Sequence, residues 1–276
     1  MTRRSLFLAG LLWASCAAPS AVELEVMTYN LRYGTALDGA DAWPFRWEAA
    51  IAVIAERRPD VVGLQEVLAF QREALCAALG DYEAFGVGRK ANGGGEQCTI
   101  LYRRGDLRLI DGGTFWLSET PEERGGKGWD ASLPRICTWA LFETAGGQRF
   151  TVFNTHFDHR GPRARLESAR LLAHRVSERA EHGPAVVLGD LNAAEDSAPL
   201  AVLSDVLVDT FRAVHPGAVE VGTAHGFGGD RGGAKIDYVL VTPGVEPLAA
   251  QIVRDRPEGR WPSDHFPVTA RVRLPR

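Results

Sequence analysis

The stretch Val186-Val187-Leu188-Gly189-Asp190-Leu191-Asn192-Ala193 decides how the chain reads. A short run of β-branched and aliphatic residues ends in Gly-Asp-x-Asn. Such a run reads as a buried strand, and its polar tail as the loop at the strand's end. Side chains alternate with period two along a strand, so Asp190 and Asn192 leave on the same side. One sheet edge thereby acquires a carboxylate and a carboxamide. An Asx turn at a strand end uses the same residue types, so the surrounding chain has to separate the two readings.

Working outward, the same arrangement recurs. Glu23 to Leu31 alternates as a strand and exits on Asn30. Trp43 to Arg57 has helical apolar spacing and is closed by Pro59. Asp60 to Glu66 is a second short apolar strand, ending on Glu66, and Ala69 to Leu79 is a helix stopped by Gly80. Gly86 to Glu96 is glycine-rich but carries neither a Walker lysine nor a dinucleotide fingerprint. It reads as a mobile surface loop, with a substrate-side flap as the functional alternative. Strands follow at 98–102 and within 107–116, then a long polar loop over 117–129. Arg135 to Thr144 and Arg149 to Asn154 pair around Gly146-Gly147, a hairpin signal. The second of these runs out into His156 and Asp158, which share a face.

Arg163 to His182 is the longest helix, with Leu166, Ala169, Leu172 and Val176 on one side. The organising strand comes next, then a helical stretch over 199–209. A second glycine-rich loop, His225 to Ala234, leads into a strand over 235–240 that carries Asp237 near its start. Trp261 to Val268 is a proline-flanked turn presenting Asp264-His265 ahead of a last strand. No linker or repeat interrupts this pattern, so residues 22–276 form one domain.

Composition bounds the function. The 276 residues are 45% hydrophobic and carry a formal net charge of −4, with only three lysines, Lys90, Lys127 and Lys235. No basic tail or charge block offers an electrostatic footprint for nucleic acid, apart from a local patch around Arg160, Arg163 and Arg165. The N-terminus has the layout of an export signal over residues 1–21: Arg3-Arg4, an apolar run from Leu6 to Trp13, then small residues. The paired arginines suit the twin-arginine type, and Cys16 offers a lipidation alternative. The chain is therefore expected to be exported, periplasmic or secreted, with no transmembrane span in the mature chain. Cys76, Cys98 and Cys137 lack metal-ligand spacing.

The polar strand-end residues are Asn30, Glu66, His156, Asp158, Asp190, Asn192, Asp237, Asp264 and His265. They are mostly oxygen donors, which suit Mg²⁺, Mn²⁺ or Ca²⁺ rather than zinc. An imidazole oriented by a carboxylate is a general acid–base near neutrality. A hard cation and such a base together fit hydrolysis of a phosphate ester.

The segments TYNLR (28–32), LQEV (64–67), NTHFDH (154–159), GDLNA (189–193), IDYVLV (236–241) and SDHFPV (263–268) stand in the order seen in the endonuclease/exonuclease/phosphatase superfamily. The chain resembles this group over nearly all of residues 24–273. The group includes DNase I-like nucleases, abasic-site endonucleases, deadenylases, neutral sphingomyelinases and inositol-polyphosphate phosphatases. FWLSETP (115–121) with RICTWALF (135–142) looks like a bacterial subgroup. The resemblance implies an α/β fold, a four-layer α/β/β/α sandwich of two packed, mostly antiparallel mixed sheets, with the site at one edge between them. It implies that Glu66 binds Mg²⁺ (Mn²⁺ or Ca²⁺ being possible), with Asn30 and Asp264 in or near the shell. Asp190 would orient or deprotonate water, Asn192 would hold the phosphate and His156 would donate to it. His265, paired with Asp237, would serve as acid–base or transition-state stabiliser, and Arg135 and His225 would contact substrate.

The expected activity is a metal-dependent phosphoesterase working by water attack at phosphorus, on a nucleic acid, nucleotide, sugar phosphate or phospholipid headgroup. No obligate protein partner is evident. The alternative is a non-catalytic binding module on the same fold, against which the intact acid, base and metal set speaks.

Overall fold

A computed structural model describes residues 21–275; the export signal read over 1–21 lies outside the described residues but for Ala21. The first strand, β1 (Glu23–Asn30), runs through α1 (Trp43–Arg57) into β2 (Val61–Val67), which lies parallel to β1. A parallel pair needs a crossover connection, and α1 supplies it. The helix starts with Pro44 in its first turn, where a missing N–H costs nothing, and ends on Arg58 in the left-handed conformation. Its buried face, Ala50, Val53 and Ile54, packs on Met27, Tyr29, Val62 and Leu64. There follow α2 (Ala69–Ala78), β3 (Tyr82–Phe85) and β4 (Gln97–Arg103).

The second half repeats this plan. β5 (Leu107–Trp116), β6 (Ile136–Thr144) and β7 (Arg149–His156) form a meander, and α3 (Pro162–Glu178) crosses to β8 (Ala185–Asp190), parallel to β7. After α4 (Ala198–Ser204), β9 (Val208–Asp209), α5 (Thr210–Val214) and β10 (Asp237–Val241), the chain returns to the first sheet as β11 (Glu246–Ile252) and β12 (Val268–Arg273). The two six-stranded sheets have the orders β11-β12-β1-β2-β4-β3 and β5-β6-β7-β8-β10-β9. All pairs but β1·β2 and β7·β8 are antiparallel.

Three apolar clusters define the four layers. Val26, Ile100, Phe142, Val152, Leu188 and Val268 fill the space between the sheets. The α1 cluster covers the first sheet outside, and Ala169, Leu172, Val176 and Leu203 cover the second. The sheets approach closely at Gly63, where a β-carbon would lie 2.7 Å from Leu188 and 2.8 Å from Asn154. Buried Asn154 bridges the sheets there. Its amide donates to the Leu64 and Thr99 carbonyls at 2.9 Å, and its oxygen accepts from Gln65 at 2.7 Å. This buried network, in which Asn154 uses both its nitrogen and its oxygen, fixes the stacking of the sheets directly beneath the strand ends.

Four segments differ from the sequence reading. β3 and β11 are additional strands, each at an edge of the first sheet. β11 contains Pro247, tolerated because an edge strand need not donate on both sides. The helix expected over 199–209 stops at Ser204, because Asp209 caps a new helix by accepting from the Phe211 and Arg212 amides. The loop 86–96 is a closed hairpin rather than a mobile segment: Gly88 N–H bonds to the Gly93 carbonyl and Arg89 N–H to that of Glu96, both at 3.0 Å. Cys76, Cys98 and Cys137 are unpaired thiols.

Candidate active site

The crossover topology brings the carboxyl ends of β1, β2, β7 and β8 to one edge of the sandwich. In the second sheet, Asp190 lies in register with His156 on one side and Asp237 on the other. Residues in register on neighbouring strands share a face, so these three side chains form a row. His265 joins it from the turn before β12, held by a bridge to Ala224. Its Nδ1 lies 2.9 Å from Asp237 Oδ2 and 3.9 Å from Asp190 Oδ2. Burial alone would drive the imidazole to lose its proton; Asp237, Asp190 and Asp264 outweigh burial and hold it charged well above the usual histidine range.

Asp190 is buried, and burial together with the Asp237 charge raises its carboxyl above the ordinary carboxylate range, against the pull of His265. It accepts from Asn192 N–H at 2.9 Å and from the Asn30 amide at 3.0 Å. Asn192, in the left-handed conformation at φ 45°, directs its amide nitrogen at His156 Nε2 (3.0 Å) and the Phe157 carbonyl (3.1 Å). Burial first, and then Arg135 and His265, keep His156 neutral.

Across the edge, Glu66 sits at the irregularity in the β2·β4 pairing with φ 62°. A left-handed glutamate inside a strand is strained backbone; here it turns the carboxylate towards Asn30. Glu66 Oε2 accepts from Tyr33 N–H at 2.9 Å, whereas Oε1 has only the Asn30 amide at 3.4 Å. Asp264 approaches Arg32 Nε at 3.6 Å, and burial, with the Glu66 charge, raises its carboxyl despite His265. The surrounding turn is pinned by buried Arg46, which donates to the carbonyls of Leu31, Arg32, Asp41 and Pro262.

Glu66 and Asp264 therefore bring carboxylate oxygens to one edge beside Asn30, whose amide nitrogen faces Glu66 and Asp190 while its oxygen accepts from Arg32 N–H at 2.9 Å. Asp237 Oδ1, also buried, has no hydrogen-bond partner among the described residues. These carboxylate oxygens, joined by the Asn30 oxygen once its amide turns over, fit a hard divalent cation. Ligand atoms of Asp190, Asp237 and His265, and of Glu66, Glu96 and His156, form two further groups, each within 4.8 Å.

The remaining expected residues divide. Arg135 reaches the site wall but spends Nε on Asp158 (3.4 Å) and Nη2 on His159 Nδ1 (2.9 Å). His225 stacks on Phe266 with ring centroids 4.0 Å apart, and its backbone N–H donates to the Asp264 carbonyl. Burial and neighbouring His265 lower its imidazole to about 4, so it is neutral. Its buried Nε2 lacks a partner among the described residues. Asp158, which shares the β7 exit with His156, turns away to accept from Ser132 and from the Arg160 and Gly161 amides. The sequence reading did not single out Arg89 and Glu96, which join Glu66, Arg135 and His156 in lining a small cleft beside the site. The signal available was two charged residues bracketing a glycine run.

The chain matches the model of the Endonuclease/Exonuclease/phosphatase family over residues 27–265. No protein of curated function matches it. Among solved structures, an endonuclease/exonuclease/phosphatase from Bacteroides vulgatus is 35% identical with a TM-score of 0.85, covering 92% of this chain and 99% of its own. A family protein from Bacteroides thetaiotaomicron is 32% identical with a TM-score of 0.86, covering 93% of this chain and 99% of its own. A mannosyl-6-phosphatase from the same organism is 33% identical with a TM-score of 0.84, covering 90% of this chain and 99% of its own. No helix among the described residues is long and apolar enough to cross a membrane.

Proposed function

The chain belongs to the Endonuclease/Exonuclease/phosphatase family, and from that premise we propose that it hydrolyses a phosphate ester by attack of water at phosphorus, with Mg²⁺ as cofactor. The reading rests on one observation: a carboxylate-rich cluster around Glu66 faces a buried Asp190 beside a charged Asp237–His265 pair at a single sheet edge.

Glu66, Asn30 and Asp264 would hold the cation, which when bound neutralises charge on the phosphoryl oxygens. Asp190, with its raised carboxyl, orients the attacking water and accepts its proton, as a general base near the working pH requires. His265 presents its N–H to the charge that develops on phosphorus oxygens or leaving group, and Asp237 keeps that proton in place. Neutral His156 and the Asn192 amide fix one another and form the opposite wall of the phosphate site.

A sugar phosphate is the leading substrate class. Its support is the 33% likeness to the mannosyl-6-phosphatase and the absence of a basic stripe for nucleic acid in a chain of net charge −4. Export belongs to the same reading, supported by Arg3-Arg4 and the apolar run behind them.

Hydrolysis by the chain lacking residues 1–21, with Mg²⁺, Mn²⁺, Ca²⁺ or EDTA, tests the proposal. The substrates would be hexose 6-phosphates, nucleotides, plasmid DNA, sphingomyelin and bis-p-nitrophenyl phosphate. Metal-dependent turnover of a monoester, reduced at least about a hundredfold by Asp190→Ala, is the expected result. A folded wild-type chain with no turnover under any metal would leave the binding-module reading standing instead.

A further inference from the structure

We propose that His159 contacts the substrate, its Nε2–H donating a hydrogen bond to a phosphoryl oxygen, and that buried Arg135 positions it by fixing the tautomer this requires. The inference rests on the phosphoesterase reading above. Arg135 is only 5% exposed and faces a cleft of about 10 Å³, room for no more than one water. No phosphate reaches it there, so any role it has towards substrate runs through what it holds. Its Nε approaches Asp158 Oδ2 at 3.4 Å, and its Nη2 lies 2.9 Å from His159 Nδ1. A guanidinium has donors only. Nδ1 therefore accepts, and the single ring proton of the neutral imidazole sits on Nε2. Burial, and then the Arg135 charge, lower this imidazole below its ordinary value against the pull of Asp158 and Glu66, so the neutral form prevails at pH 7. The residue is exposed, and its Nε2 has no partner among the described residues.

The backbone that carries His159 is braced at the site. Phe157 N–H donates to the Asp190 carbonyl at 2.9 Å, which extends the β7·β8 ladder past the strand end. Asp158 Oδ1 then accepts from the Arg160 and Gly161 amides at 3.0 and 2.8 Å, an Asx turn around His159. A β-carbon at Gly161 would lie 2.6 Å from Asp130 Oδ1, so this turn packs directly on the loop that leads to Arg135. His159 follows His156 by three residues, and it stands close enough to His156 and Glu66 for its field and theirs to act on one another. A phosphate held between a cation at Glu66 and the His156–Asn192 wall would find the Nε2–H at its rim. As a neutral donor, His159 bonds an anionic oxygen without repelling the cation beside it.

Steady-state kinetics with Mg²⁺ on wild type, His159→Phe and His159→Gln test it, with a hexose 6-phosphate and p-nitrophenyl phosphate as substrates. The first variant keeps a ring and removes the donor; the second restores a side-chain N–H. In His159→Phe, kcat/KM should fall about tenfold or more on both substrates alike, the scale for losing a hydrogen bond to a charged group. The inhibition constant of inorganic phosphate should rise with it, and His159→Gln should recover most of the loss. A second readout is independent of turnover. Long-range ¹H–¹⁵N spectra of wild type should place the His159 proton on Nε2, and its signal should shift when inorganic phosphate is added with Mg²⁺. A proton on Nδ1, or a signal unmoved by phosphate, would overturn the inference. So would a His159→Phe chain within about twofold of wild type, a His159→Gln chain no better than His159→Phe, or a loss confined to the hexose phosphate. Each of these leaves the phosphoesterase reading intact. Silence of the wild type on both substrates would overturn that reading, and this inference with it.

Discussion

Replacing Asp237 by asparagine removes one charge while keeping the side chain's shape, and it isolates what the His265 pair contributes. Asp237 Oδ2 accepts from His265 Nδ1 at 2.9 Å in a buried setting. A hydrogen bond to a charged group contributes about 1.5–3 kcal/mol and a neutral one about 1 kcal/mol. The substitution therefore costs roughly 0.5–2 kcal/mol if the bond matters most in the transition state, a rate loss of about two- to thirtyfold. His265→Ala removes the donor itself and should cost at least about a hundredfold. Because Asp237 acts through His265, adding Asp237→Asn to His265→Ala should cost almost nothing further. The pH profile supplies a second readout. The three carboxylates raise the imidazole's pKa, so the proton it donates is present below that pKa and lost as pH rises through it. Weakening one of them lowers the pKa, and the alkaline limb of kcat should move to lower pH in Asp237→Asn. Steady-state kinetics on the four-variant cycle, with thermal melts to confirm folding, would decide it. Fully additive losses together with an unmoved alkaline limb would refute the coupling of Asp237 to His265.

Two further outcomes follow from the same geometry. Saturating Mg²⁺ should stabilise the wild-type chain by about 2.7 kcal/mol at a hundredfold excess over Kd; melting of Glu66→Gln should respond far less, and an equal response would remove Glu66 from the cation site. Burial would raise the Asp158 carboxyl, but the bonds from the Gly161 amide, Ser132 and the Arg160 amide prevail and hold it well below the usual range. Its stabilisation is thus complete above the ordinary carboxylate pKa and fades as pH falls. Asp158→Asn should lose about 1–3 kcal/mol at neutral pH, with the gap to wild type beginning to narrow below about pH 4 and narrowing further as pH falls in urea titrations; a gap independent of pH would contradict this.

Much of the fold could be read from the sequence because its two crossover units announce themselves. The 43–57 helix was read to its observed bounds, since Pro59 and the apolar spacing mark it without ambiguity. The two edge strands were invisible for physical reasons. β3 has only four residues and includes Glu83, while β11 carries Pro247 and has a single β-branched residue, Ile252. An edge strand needs little burial on its own account, so its sequence need not alternate. The same asymmetry governs the site. A polar residue terminating an apolar strand stands out, and parallel crossovers carry such strand ends to one edge; this is why Asn30, Glu66, His156 and Asp190 could be picked out and are found together.

Arg89 and Glu96 had no such contrast, because glycine serves two opposite ends. It loosens a chain by widening its conformational choice, and it tightens one by letting backbone approach backbone. Composition cannot separate these uses. The distinction lies in what meets the missing side chain: at Gly93 a β-carbon would find nothing within 4 Å, whereas at Gly88 it would strike a carbonyl at 2.2 Å. The first glycine answers to the positive φ of a turn, the second to a close approach. A loop that contains the second kind is a scaffold, and the charged residues at its base are held as firmly as those on the strands it adjoins.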